Sequence, residues 1–142
     1  EWLRSENDYV VAFTLNFIKF YNLVDAKDEV IKLLSHKLRV IRYKAIIFLN
    51  HFYILEAKPL LIEKFEDFTE KEQVAIFNYL ENMYSVEDEP FILQHVNNPI
   101  FEIKVIAIKI LQKINIKSFL KLKTSLQDEV SIKIINYTEN NL

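Results

Sequence analysis

The chain has 142 residues, of which 51% are hydrophobic and 13% aromatic, with a formal net charge of −2 and neither glycine nor cysteine. This composition argues against disorder, and the missing residue types exclude glycine-rich phosphate loops, disulfides and cysteine-ligated zinc. No segment reaches the roughly 20 apolar residues of a membrane span, and the slight negative charge argues against a general nucleic-acid binder.

The sequence repeats itself at a spacing of 31 residues. Segment 48–65 aligns without a gap on segment 79–96, and matched positions carry similar side chains: Leu49 and Leu80, Tyr53 and Tyr84, Pro59 and Pro90. The same shift works upstream, where Val10 falls on Ile41, and downstream, where Leu80 falls on Leu111, but the register slips past Lys117. About four copies are therefore expected, with the first and last incomplete.

Each copy is predicted to be a helical hairpin. In the second copy, for example, the apolar residues follow helical spacing at Ile41, Ala45, Phe48, Leu49 and Phe52. Pro59 and Pro90 suit the first turn of a shorter helix. One equivalent position before each longer helix holds a turn or cap former in three copies and a histidine in the fourth: Ser5, His36, Asp67 and Asn98. Thr69 with Glu72, and Ser85 with Asp88, predict capping boxes.

The longer helix of the second copy reads Val40-Ile-Arg-Tyr-Lys-Ala45, followed by Leu49. With the hairpin length and the polar turn residue, it resembles HEAT repeats, including the short HEAT-like repeats of phycobilisome lyases. The resemblance implies an all-α fold, a right-handed α-α superhelix (HEAT-like solenoid) of about four helical hairpins with incomplete terminal repeats. It covers residues 1–142 as a single domain. The arginine typical of the family occurs only as Arg42, with Val11, Gln73 and Lys104 in the equivalent places.

The chain begins at Glu1 without methionine and shows no signal-peptide pattern. We therefore expect a fragment of a longer protein and a cytoplasmic location.

No catalytic, cofactor or metal site is predicted. None of the three histidines, His36, His51 and His95, is followed by glutamate, and no metal-binding pair of the kind found in HEAT-like hydroxylases occurs. Trp2 is expected to be a core or capping residue. The recurring aromatic residues are also expected in the core: Phe13, Phe17, Phe20, Tyr21, Phe48, Phe52, Tyr53, Tyr79 and Tyr84. Phe13 and Phe20 are the expected exceptions, because they lie off the apolar stripe and would need an upstream repeat to cover them.

The resemblance also implies that the second helix of each hairpin lines a concave side. Helical periodicity then places three parallel rows opposite the buried stripe. The rows predict these protein-binding residues: Asn16, Lys19, Asn50, His51, Asn78, Glu81, Asn82, Lys109, Gln112 and Lys113. Ile47 and Phe20 complete them. Amide and ammonium groups can bond an extended peptide without a strong charge requirement.

The expected function is a non-catalytic protein-binding or scaffolding module whose partner is a protein or peptide. Two alternatives fit the same sequence. The domain could position an enzyme domain in the same polypeptide. It could also bind nucleic acid through its C-terminal repeats, since residues 101–133 contain seven lysines and three acidic residues.

Overall fold

The computed structural model describes residues 1–141, which are all-helical and include no β-strand. Their nine helices are α1 (Asp8–Phe20), α2 (Lys27–Lys32), α3 (Arg39–His51), α4 (Lys58–Glu63), α5 (Glu70–Met83), α6 (Glu89–His95), α7 (Phe101–Ile114), α8 (Ile116–Ser125) and α9 (Glu129–Asn140). Contacts among the helices form two compact units, unit 1 (Glu1–Met83) and unit 2 (Tyr84–Leu142). The expectation of a single domain stays a prediction.

The helix starts confirm the 31-residue spacing. The longer helices α1, α3, α5 and α7 begin at residues 8, 39, 70 and 101, and the shorter helices α2, α4 and α6 begin at 27, 58 and 89. The predicted slip of register is confirmed as well, because α8 begins 27 residues after α6 and α9 begins 28 residues after α7. Asn115 alone separates α7 from α8, and its side chain caps α8 by accepting from the N–H groups of Lys117 and Ser118.

The polar position before the longer helices forms the same local turn in three copies. Its side chain accepts a hydrogen bond from the backbone N–H two residues later: Ser5 from Asn7 (3.1 Å), His36 from Leu38 (3.1 Å) and Asn98 from Ile100 (2.8 Å). Before α5, the corresponding N–H of Thr69 instead donates to the Glu72 carboxylate at 2.7 Å. The turn therefore depends on having an acceptor at this place, and several side-chain types can supply one.

In unit 1 the longer helices pack on one another. Helix α3 contacts both α1 and α5, and the short helix α2 also packs on α3. The predicted apolar stripe of α3 is buried as a result, with Ile41, Ala45, Phe48 and Leu49 fully enclosed. The capping prediction at the start of α5 is confirmed in its acidic half, because Glu72 accepts from both the N–H and the hydroxyl of Thr69.

In unit 2, α7 is the central element and contacts α6, α8 and α9. Isoleucines and Phe119 fill the core between these helices. The predicted capping box of Ser85 and Asp88 is present before α6. The Asn115 side chain also donates to both carboxylate oxygens of Glu89 at 3.0 Å, so one residue joins the first turn of α6 to the start of α8.

Several aromatic residues expected in the core lie at the surface instead. Trp2 is 58% exposed, Tyr21 57% and Tyr53 68%, and Phe17 is exposed as well. The prediction was wrong for Trp2 because the first turn directs Leu3 inward in its place. It was wrong for Tyr21 and Tyr53 because they lie where their helices end. Phe48 and Tyr79 are buried, as predicted, and Phe13 and Phe20 are exposed, as expected for residues off the stripe.

Helices α1 and α3 end in the same way, in left-handed backbone conformations. Asn22 has φ 55° and Tyr53 has φ 53°, and these two positions are one repeat apart. In each case the next N–H, that of Leu23 or Ile54, bonds the carbonyl five residues earlier, at 2.8 Å and 2.9 Å. This arrangement is the Schellman motif, which usually places glycine at the left-handed residue. A chain without glycine closes its helices here at a conformational cost.

Replacing Tyr53 with glycine is therefore expected to raise the free energy of unfolding by about 0.5–1 kcal/mol. The left-handed conformation costs a non-glycine residue about 1–2 kcal/mol, and the greater freedom of unfolded glycine offsets part of the gain. The Tyr53 side chain is mostly solvent-exposed, so few contacts are lost. Urea denaturation measures the change. Tyr137→Gly, at an exposed position within α9, is the matched control and should lower stability by about 0.5 kcal/mol. Equal losses from both substitutions would contradict the expectation.

Candidate protein-binding surface

Three of the predicted binding residues line one groove in unit 1. Asn16, Lys19 and Phe20 of α1, Asn22 of the following turn and His51 at the end of α3 surround a cavity of about 390 Å³, named here the α1–α3 groove. Asn16, Lys19 and His51 were predicted to bind, and Phe20 was placed in the same rows. Asn22 was missed, because its position depends on the left-handed turn after α1.

The groove is bordered by donors and cations. Lys44 of α3 donates from Nζ to the Asn16 side-chain oxygen at 3.0 Å, which ties α3 to α1 and leaves the Asn16 amide NH₂ group as a donor. The His51 ring packs edge-on against Phe52, with ring centroids 4.7 Å apart. No carboxylate is among the described residues that line the groove. The groove therefore offers hydrogen-bond donors and positive charge beside the exposed Phe20 ring.

Two further predicted residues, Asn50 and Asn82, are hydrogen-bonded to each other between α3 and α5. The Asn82 side-chain nitrogen donates to the Asn50 side-chain oxygen at 2.9 Å, and the bond is exposed. The pair keeps the NH₂ group of Asn50 and the carbonyl oxygen of Asn82 at the surface. One donor beside one acceptor is what a peptide backbone unit needs for two hydrogen bonds.

The remaining predicted residues are not all open to solvent. On α5, Asn78 is exposed and Glu81 is half-buried. In unit 2, Lys109 is half-buried and Lys113 exposed on α7. The prediction was wrong for Gln112, which is only 7% exposed and donates to the Thr138 hydroxyl at 2.6 Å. Helix α9 packs on α7 and covers this position, a contact that the repeat alignment does not reveal. The Gln112 carbonyl oxygen is buried without a hydrogen-bond partner.

Comparisons with protein-family models, with curated proteins and with solved structures found no match.

Glu29 and Glu89, two carboxylates with lowered pKa values, lie outside the α1–α3 groove. Hydrogen bonds from Arg4, and then from Lys32, lower the pKa of Glu29 from 4.5 to about 2. Bonds from Asn115 and Ser118 likewise lower the pKa of Glu89. Perturbed pKa values can mark catalytic groups, but these carboxylates are acceptors in bonds that join neighbouring elements. These structural hydrogen bonds therefore account for their lowered pKa values.

Glu72 of α5 is a buried carboxylate that forms an ion pair. It is 1% exposed and accepts from the Arg42 guanidinium, at 2.7 Å from Nε and 3.3 Å from Nη2. Arg42 also donates to the carbonyl oxygens of His36 and Lys37, at 2.8 Å and 3.1 Å. Arg42 therefore joins the turn before α3 to the first turn of α5. The repeat pattern did not identify Glu72 as the partner of Arg42.

The lysines of unit 2 are partly balanced by nearby acids. Lys123 pairs with Glu139 at 2.8 Å and Lys133 with Glu129 at 2.5 Å, while Lys104 lies 3.9 Å from Asp128. These pairs reduce the positive charge that residues 101–133 present to a nucleic acid.

Within residues 1–141, no three histidine, aspartate or glutamate side chains gather closely enough to hold a metal ion. None of the helices formed by these residues has the length and apolar character needed to cross a bilayer.

Proposed function

We propose that the chain is a non-catalytic protein-binding module that holds an extended peptide in the α1–α3 groove and along the Asn50–Asn82 pair. The observation that carries the proposal is the groove itself, where Asn16, Lys19 and His51 converge beside Phe20. The regular alternation of short and long helices at 31-residue spacing supports a HEAT-like, right-handed superhelix as the scaffold.

The spacing of the helices suits an extended chain. Packed helices lie about 8–10 Å apart, and an extended peptide advances about 3.3 Å per residue. A peptide that crosses α1, α3 and α5 at a right angle would therefore meet equivalent side chains about every third residue. The amides of Asn16, Asn50 and Asn82, one from each of the three helices, would bond its backbone in turn, as the Asn50–Asn82 geometry allows. They belong to three neighbouring rows and not to one, so the peptide would cross the rows obliquely.

The side chains of the groove favour an acidic peptide with an apolar anchor. Lys19 and His51 line the groove, and Lys44 stands beside it through its bond to Asn16. A peptide carboxylate would find lysine donors here, and an apolar side chain would pack on the exposed Phe20 ring. No step of covalent chemistry is assigned to these groups.

A random peptide library displayed on phage and selected on the immobilised protein tests the proposal. Enriched peptides are expected to contain acidic and apolar residues. In titrations followed by ¹⁵N NMR, they are expected to shift the side-chain amide signals of Asn16, Asn22, Asn50 and Asn82. The double variant Lys19→Ser/His51→Ser is expected to weaken binding at least about tenfold, the size of effect that marks a central contact residue.

Lys37→Ser is the matched control, because Lys37 belongs to the same unit and its side chain is 75% exposed. Peptides that bind the groove variant and the control equally well would refute the groove as the binding site. A selection that enriches no peptide would count equally against the proposal.

A further inference from the structure

An unbroken row of exposed aromatic side chains follows one face of α1. Tyr9, Phe13, Phe17 and Phe20 are spaced four, four and three residues apart, which keeps them on one helical face. Their exposed fractions are 88%, 61%, 37% and 78%. We refer to these four residues as the aromatic ridge. Single exposed apolar residues are ordinary at protein surfaces, but a contiguous patch usually marks an interaction site.

Neighbouring rings extend the ridge into a patch. Phe17 lies 6.2 Å from Phe13 and 4.5 Å from Tyr21, centroid to centroid, and Tyr21 lies 5.1 Å from Phe20. Trp2 and Phe17 line one cavity of about 500 Å³. The rings in contact with one another, in order, are Phe13, Phe17, Tyr21 and Phe20.

The residues equivalent to Phe17 in the next two copies are buried. Phe17 corresponds to Phe48 on α3 and to Tyr79 on α5, one and two repeats further along. Both of these residues are 0% exposed, and both lie on helices that pack against the preceding long helix, α1 or α3. The position of Phe17 is therefore buried in the next two copies. The positions equivalent to Tyr9, Phe13 and Phe20 on α3 hold Val40, Lys44 and His51, which are exposed or half-buried.

We propose that a second copy of this chain covers the aromatic ridge, so that two α1 helices pack antiparallel across a two-fold axis. The ridge is self-complementary, because it has aromatic residues at both ends and no charged residue among its four members. A two-fold axis between Phe13 and Phe17 brings each of these rings against the other one in the second copy. Tyr9 then meets Phe20 and Tyr21, and no like charges of the ridge oppose one another.

The exposed aromatic area is sufficient for such a pairing. At about 200 Å² for each aromatic side chain, the exposed fractions of the ridge correspond to roughly 500 Å², and Trp2 and Tyr21 add roughly 200 Å². A specific interface of standard size buries about 800 Å² on each partner. The patch approaches that size with aromatic side chains alone, before any flanking contact is counted.

Sedimentation equilibrium of the protein over a range of concentrations tests the proposal. A monomer–dimer equilibrium is expected, and Phe13→Ser/Phe17→Ser is expected to raise the dimer dissociation constant more than about tenfold. Trp2 is the only tryptophan and belongs to the patch. Its fluorescence is therefore expected to shift to shorter wavelength as the dimer forms, with the same midpoint concentration as in sedimentation.

Phe101→Ser/Tyr137→Ser is the matched control, since it removes two exposed aromatic rings from unit 2, at 58% and 62% exposure. Circular dichroism checks that each variant keeps its helices. A protein that is monomeric at every concentration would overturn the proposal. So would a dimer that the ridge variant leaves intact, or one whose formation leaves Trp2 emission unchanged. Phe20 belongs to both the ridge and the α1–α3 groove, whereas Phe13 and Phe17 do not line the groove. Peptide binding measured below the dimer dissociation constant, where the protein is monomeric, therefore separates this result from the peptide-binding result.

Discussion

Replacing Arg42 with methionine is expected to lower the free energy of unfolding by about 3–5 kcal/mol, the usual cost of leaving one partner of a buried ion pair alone. Glu72 is 1% exposed and would lose its cation, while its hydrogen bonds from the Thr69 N–H and hydroxyl would remain. The carbonyl oxygens of His36 and Lys37 would lose their donor as well. Urea denaturation followed by circular dichroism measures the loss.

A second substitution separates the buried charge from the lost packing. The residues one repeat before and after Glu72 are Ile41 and Ile103, and both are fully buried. Arg42→Met combined with Glu72→Ile should therefore recover part of the lost stability, because an apolar pair often replaces a buried ion pair without cost. The recovery is incomplete because Glu72→Ile also removes the acceptor of the Thr69 hydrogen bonds, a loss of about 1 kcal/mol. Lys27→Met removes the exposed pair with Glu56 and should cause no resolvable change. A double variant as unstable as Arg42→Met alone would show that the buried charge is not the cause.

Truncating Leu49 to alanine is expected to cost about 2–5 kcal/mol. Leu49 is fully enclosed on α3, the helix that contacts both α1 and α5. The cavity would therefore open within the packed centre of unit 1, where neighbours on two sides limit its collapse. The midpoint of urea unfolding should fall while the slope of the transition stays the same.

Leu55→Ala is the matched control, because Leu55 is more than half exposed in the turn before α4. Its expected effect is within about 0.5 kcal/mol. Leu80 occupies the position equivalent to Leu49 on α5 and is also fully buried, so Leu80→Ala should resemble Leu49→Ala. Small, equal effects at all three leucines would contradict the packing described for unit 1.

Local features of the fold were predictable because their causes are local. Apolar spacing located the helices, and Pro59 and Pro90 do lie in the first turns of α4 and α6. Ser5, His36 and Asn98 form turns through bonds that reach only two residues along the chain. Each of these depends on residues within one or two turns, so the sequence alone is sufficient.

Contacts between distant residues account for the failures. Periodicity assigned Phe17 to an apolar face but could not show that its ring stays 37% exposed among the residues that the structure describes. Gln112 shares a register with Lys19 and Asn50, yet the shortened connection to α9 brings Thr138 over it. Glu72 occupies a position that holds isoleucine in adjacent copies, so no pattern marked it as the partner of Arg42. Of the residues that line the α1–α3 groove, sequence reasoning had assigned Asn16, Lys19 and His51 to the binding rows and placed Phe20 beside them, but it missed Asn22.

The side-chain bonds between elements of unit 1 have a short and nearly constant reach. Arg4 bonds Glu29 across 25 residues, Lys44 bonds Asn16 across 28 and Asn82 bonds Asn50 across 32. The entropy cost of closing a loop grows only slowly with its length, so these bonds cost similar amounts to form. Folding of unit 1 can therefore begin at any adjacent pair of hairpins and spread to the next, with a rate set by local chain closure.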